Sequence, residues 1–104
     1  MAISKIEENK VLDEILKELN YNNEKDAVID LAILSASTKY AEFSEECQRF
    51  EQKYGISYEA FEKRILVKEN EEDFCQEDDL MAWKFAKDGV EFWNKRLEEL
   101  KSAL

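Results

Sequence analysis

Apolar residues recur along this chain in steps of three and four, with charged residues filling the gaps between them. Ile6, Val11, Leu12, Ile15, Leu16 and Leu19 make the first such series, the signature of one greasy helical face. "NYNN" at 20–23 ends it, and Asn23 is placed to cap a second helix whose first turn holds Asp26, where a carboxylate suits the positive helix end. From Val28 through Leu31, Ala32, Ser35, Ala36, Tyr40, Phe43, Cys47 and Phe50 to Tyr54 no step exceeds four, so a single helix of about 30 residues satisfies the pattern. "SAST" at 35–38 is a poor helix former and is where that helix would bend or split. Lys53 in the last turn and Gly55 just beyond it predict a left-handed C-terminal cap.

Ser57 then caps a third helix, "YEAFEKRILVKE", with Tyr58, Phe61, Ile65 and Leu66 on its apolar face. The last helix is expected to begin near Glu77, with Asp78 and Asp79 in its first turn, and to carry Trp83, Ala86, Val90, Trp93, Leu97, Leu100 and Leu104 at heptad a/d spacing. Phe85, Gly89 and Phe92 form a weaker line beside that seam. The opening "MAISKIEE" has an alternative reading as a short strand, because Ile3 and Ser4 precede the periodic residues. The expectation is an all-α fold, a small helical bundle forming one domain over 1–104, with its two long amphipathic helices near 39–54 and 78–102. The aromatic stripe at 40–54 is read as core, since periodicity alone accounts for it. Trp83, Trp93, Phe43 and Phe50 with the leucines give more apolar length than three short neighbouring helices cover, which points to a homodimer.

Composition narrows the function classes. With 25 acidic against 15 basic residues the net charge is −10, which repels a phosphate backbone and disfavours direct nucleic-acid binding. Residues 67–82 hold seven acids and one lysine, a stretch whose complement is a basic protein surface. The chain has no proline and two glycines, so a glycine-cradled nucleotide site is not expected. No apolar run approaches the roughly 20 residues needed to span a bilayer. "MAISKIEENK" carries no export signal, so Cys47 and Cys75 are expected to be reduced, in the cytoplasm.

The acids and thiols are the candidates for catalytic chemistry. Without histidine the usual zinc sets, the di-iron Glu-x-x-His pairs and an activated cysteine cannot be assembled, so no metal or other cofactor is expected. Glu42/Glu45, Glu59/Glu62 and Glu69/Glu72 are ExxE pairs of the kind that bind magnesium in all-helical nucleotide pyrophosphatases. Those enzymes pair ExxE with ExxD, and no aspartate here has glutamate three residues before it. A magnesium-dependent carboxylate hydrolase is therefore the weaker alternative, and no catalytic residue is assigned.

"FEQKYG", "YEAFEKRI" and "DDLMAWKFA" together resemble small prokaryotic type II antitoxins, through Phe50, Glu51, Lys53, Tyr54, Gly55, Phe61, Asp78, Asp79, Trp83 and Ala86. "ILKELNYNNEKDAVIDLAILSAS" is similar to the two helices of antitoxin dimerisation domains. The resemblance implies a binding protein that neutralises a basic ribonuclease toxin stoichiometrically. Residues 1–38 would serve dimerisation and 39–104 partner binding, with Glu77, Asp78, Asp79, Trp83, Phe85 and Phe92 as partner-binding residues. Residues 1–8 depart from the basic DNA-reading strand of such proteins, holding Lys5 against Glu7 and Glu8. A helical homodimer with a scaffolding or regulatory role, and no toxin, is the alternative.

Overall fold

A computed structural model of the chain describes residues 5–67 and 74–104. These form four helices and, among the described residues, no strand: α1 (Lys5–Glu18), α2 (Glu24–Tyr54), α3 (Tyr58–Val67) and α4 (Phe74–Ser102). The strand suggested for the opening is replaced by α1 from Lys5 onward, and residues 1–4 lie outside the described part. Likewise the expected extension of α3 to Glu69, and the acids at 69–73, lie outside it. α2 runs unbroken for 31 residues through "SAST". By internal contacts the chain divides into two compact units, Met1–Ser35 and Ala36–Leu104, with the boundary inside that same stretch of α2.

The first unit is a helical hairpin. α1 ends in a Schellman arrangement: Tyr21 N–H donates to the Leu16 carbonyl at 2.8 Å and Asn20 N–H to the Lys17 carbonyl at 3.0 Å. Asn20 takes the left-handed conformation this turn requires, φ 65°, a role asparagine fills when glycine is absent. Asn23 caps α2 as expected, its side-chain oxygen accepting from Asp26 N–H at 2.9 Å. The Tyr21 hydroxyl donates to Asp30 at 2.5 Å and ties the turn to α2. From Asn9 to Ser35 Leu16 is the buried residue. Val11, Leu12, Ile15, Leu19, Val28, Leu31 and Leu34 remain between 41 and 65% exposed. Val28 and Leu31 were expected on the inner face of α2; the half-buried positions are instead Ile29 and Ile33. They continue at alternating steps of four and three through Ala36, Tyr40, Phe43, Cys47 and Phe50 to Tyr54, and Val28 and Leu31 lie off that line; Tyr40, expected in the core stripe, is exposed at 36%.

The second unit has the aromatic core. Phe50, Tyr58, Phe61 and Trp83 are buried, with Cys47, Tyr54, Ile56, Ile65 and Leu80 packed against them. Trp83 is the hub: the rings of Phe50, Tyr58 and Phe61 lie 5.6–5.7 Å from its own and that of Tyr54 at 6.3 Å. Gly55 closes α2 at φ 67°, its N–H bonded to the Glu51 carbonyl at 2.7 Å. Ser57 caps α3, accepting from Ala60 N–H at 3.2 Å. This tight joint brings α3 back so that Phe61, fully buried, meets Tyr54 ring to ring at 4.2 Å.

Three boundary expectations are corrected. α4 starts at Phe74, so Asp78 and Asp79 sit in its second turn, where the dipole of the helix end has largely faded. Leu66 is 70% exposed, because it stands about 100° round the helix from Ile65 and so leaves the buried face. Leu104 is also exposed, since α4 stops at Ser102 and the heptad seam stops with it.

Candidate functional site

α4 presents two apolar sides. Trp83, Ala86 and Leu97 face inward and are buried, with Val90, Trp93 and Leu100 half-buried on the same seam. On the opposite side Phe74, Met81, Phe85 and Phe92 follow one another at seven, four and seven residues, which returns each to nearly the same angle on a helix. All four are at least half exposed, Met81 most of all at 72%. Asp78 and Asp88 are interleaved with them on this outer face and are exposed, with Glu77 at its edge. A soluble helix ordinarily carries one apolar stripe, and a second one indicates a surface awaiting cover.

Two rings of this stripe, Phe85 and Phe92, rest on aromatic neighbours. Phe85 meets Phe43 of α2 edge to face at 5.6 Å. Phe92 meets Trp93 at 5.1 Å in the same T-shaped manner, with the Arg96 guanidinium 5.4 Å from its centroid. Preformed rings cost less entropy to bury than mobile chains, which favours them as anchors.

The six residues singled out from sequence therefore separate into two groups. Glu77, Asp78, Phe85 and Phe92 share the outside of α4. Trp83 is only 1% exposed, at the centre of the core, and offers no surface to a partner. Asp79 is engaged internally: Lys53 Nζ lies 2.6 Å from its Oδ2, and the Tyr54 hydroxyl donates to the same oxygen. Those hydrogen bonds, Lys53 first and Tyr54 second, hold the Asp79 carboxyl below its ordinary range, and the Lys53 ammonium is raised in turn. Burial, and then the bond to Asp79, push the Tyr54 phenol up.

The "FEQKYG" box is thus a set of fold-making parts. Phe50 fills the core, Lys53 and Tyr54 pin α2 to α4 through Asp79, and Gly55 makes the turn. Phe74 and Met81 were missed because α4 was expected to begin after the first and because the second was not set against Phe85. The 74, 81, 85, 92 spacing was the signal available.

Of the carboxylates offered for chemistry, Glu59 and Glu62 have structural partners, and Glu69 and Glu72 lie outside the described residues. Glu59 lies 2.7 Å from Lys87, whose ammonium also sits 4.9 Å from the Tyr58 ring centroid. Glu62 accepts the Tyr58 hydroxyl at 2.8 Å, and burial together with that bond pushes the phenol up to about 12. Cys47 and Cys75 are free thiols. Burial raises the Cys47 thiol, followed by the nearby charges of Glu51 and Glu46, the reverse of what activates a nucleophile. Among the described residues, no three of the acidic and cysteine side chains gather as a metal site, and no helix is long and apolar enough to cross a membrane.

Comparison with known proteins finds no matching family model, no matching curated protein and no matching solved structure. The surface has to be interpreted from its own chemistry.

Proposed function

We propose that this chain works by binding another protein, as an antitoxin-like helical module in the cytoplasm that neutralises a basic ribonuclease toxin one to one. In this reading α2 and α4 are the two long amphipathic helices of a small bundle, and the outer face of α4 is what the toxin meets. The observation that carries it is the exposed line Phe74, Met81, Phe85 and Phe92 with Asp78 and Asp88 between its rings. Aromatic anchors set among like charges fit a partner that is apolar at the centre and basic around it. The experiment is to titrate the RNA-cleaving activity of the product of the adjacent gene with this protein. Cleavage should fall to background at one equivalent for the wild type and persist with Phe85→Ser/Phe92→Ser. An adjacent product that cleaves no RNA, or that is untouched by the wild type, would refute the antitoxin reading.

The first unit favours a homodimer as part of the same reading. Its seven aliphatic residues that stay 41 to 65% exposed are apolar surface of the kind a second copy covers. A homodimer that scaffolds without a toxin would use this face and leave the outside of α4 without a role.

A further inference from the structure

Within the second unit a groove of about 300 Å³ runs between α2 and α4, lined by Glu42, Phe43, Glu46, Ala82, Phe85 and Ala86. One rim is acidic: Glu42 and Glu46 stand a helical turn apart on α2, both solvent-accessible. The remainder is apolar, and small residues keep it open. Ala82 and Ala86 fill little of it, and Phe43 is drawn close over α4 because position 89 is glycine; a Cβ there would come within 2.6 Å of the Phe43 ring. The exposed ring of Phe85 forms the wall shared with the outer stripe of α4.

We propose that this groove receives an arginine side chain from a basic partner protein, the guanidinium between Glu42 and Glu46 and the aliphatic stem along Ala82 and Phe85. The inference rests on the protein-binding reading and names the chemistry of the contact. Arginine fits better than lysine because its planar, weakly hydrated head forks onto carboxylates and stacks on aromatic faces, while its stem buries along apolar surface. Glu42 and Glu46 already pair with Lys39 at 3.7 Å and Arg49 at 3.2 Å. Those are exposed pairs between residues three apart on one helix, which contribute little and exchange readily for a better-placed cation. The apolar channel beside the two acids distinguishes them from the other solvated carboxylates of this chain.

The test uses the full chain, isotope-labelled, and a capped helical peptide with leucine at helical spacing and one central arginine, beside the same peptide with citrulline, which keeps the shape and lacks the charge. The arginine peptide should shift the amide resonances of Glu42, Glu46, Ala82 and Phe85. Citrulline, or the Glu42→Gln/Glu46→Gln variant, should weaken binding by about tenfold or more, as expected when a charge-assisted pair is lost. Glu42 is exposed, Glu46 is half-buried, and both pair only with exposed cations of their own helix, so the variant's melting should stay close to the wild type. Equal binding of the two peptides, shifts confined to other surfaces, or no binding would overturn the proposal. So would a ribonuclease partner that binds wild type and Glu42→Gln/Glu46→Gln alike but is lost with Phe85→Ser/Phe92→Ser, an outcome that spares the protein-binding reading.

Discussion

Lys53 and Asp79, 26 residues apart in sequence, meet at 2.6 Å, and the hydroxyl of the neighbouring Tyr54 donates to the same carboxylate oxygen. The end of α2 is thereby fastened to the second turn of α4 beside the Trp83 core. Asp78, its chain neighbour, points to solvent. Two adjacent aspartates thus carry different duties, one inside the fold and one outside it.

Asp79→Asn should lower unfolding free energy in urea by about 1 to 2 kcal/mol through its bond to Tyr54, the range for a hydrogen bond to a charged group in a partly exposed place. Asp78→Asn should stay within about 0.5 kcal/mol of wild type, as an exposed substitution does. Equal losses in the two variants would remove the assignment.

Acid should expose the same contact. Asp79 and Glu59 both have folded carboxyls held below their ordinary values, by Lys53 with Tyr54 and by Lys87 respectively. A depressed folded pKa contributes stability that is present above the unfolded value and lost as pH falls through the folded one. Stability should therefore be level near neutrality and decline below about pH 4.5, where the unfolded carboxyls begin to take up protons. Asp79→Asn should flatten that decline, and a denaturation series between neutrality and pH 3 reads it.

Gly89 offers a sharper contest. Alanine at a helix interior normally gains about 1 kcal/mol over glycine. Here its Cβ would fall 2.6 Å from Phe43, and forcing that ring aside is an overpacking cost of about 1 to 3 kcal/mol. Gly89→Ala should be neutral to destabilising in the wild type and stabilising in a Phe43→Ala background. A double-mutant cycle with no coupling would mean that the ring does not rest on residue 89.

The core and the outer stripe should respond in opposite ways. Phe61→Ala removes a fully buried ring and should cost about 3 to 5 kcal/mol, a large part of a small domain's stability. Phe85→Ser/Phe92→Ser should leave thermal melting close to wild type while raising solubility. A collapse of melting in that double variant would make the stripe part of the fold.

Much of this arrangement could be read from residues alone. Asn23, Ser57 and Gly55 mark their helix ends by chemistry that acts within a few residues, and each end is where that chemistry puts it. The seam through Trp83 and Ala86 follows from heptad spacing in the same local way. Choosing between overlapping faces was harder: Val28 with Leu31, and Ile29 with Ile33, have equal claims to helical spacing, and only tertiary contacts select the second pair. Asp79 and Trp83 were also set among the partner-binding residues, although Trp83 heads the heptad seam, because charge and aromatic character look alike inside and outside a fold. Their partners Lys53, Tyr54, Phe50 and Phe61 come from two other helices, a juxtaposition no local pattern carries.

In the proposed reading the outside of α4 binds a basic protein. The most direct measurement is the affinity of the adjacent gene's product for wild type and for Phe85→Ser/Phe92→Ser, each at low and high salt. Wild-type affinity should weaken as salt rises, because acidic and basic faces are screened, and the double variant should lose about 2 kcal/mol or more at either salt, as truncated aromatic hot spots do. Wild-type and variant affinities that coincide, or a wild-type affinity indifferent to salt, would contradict it.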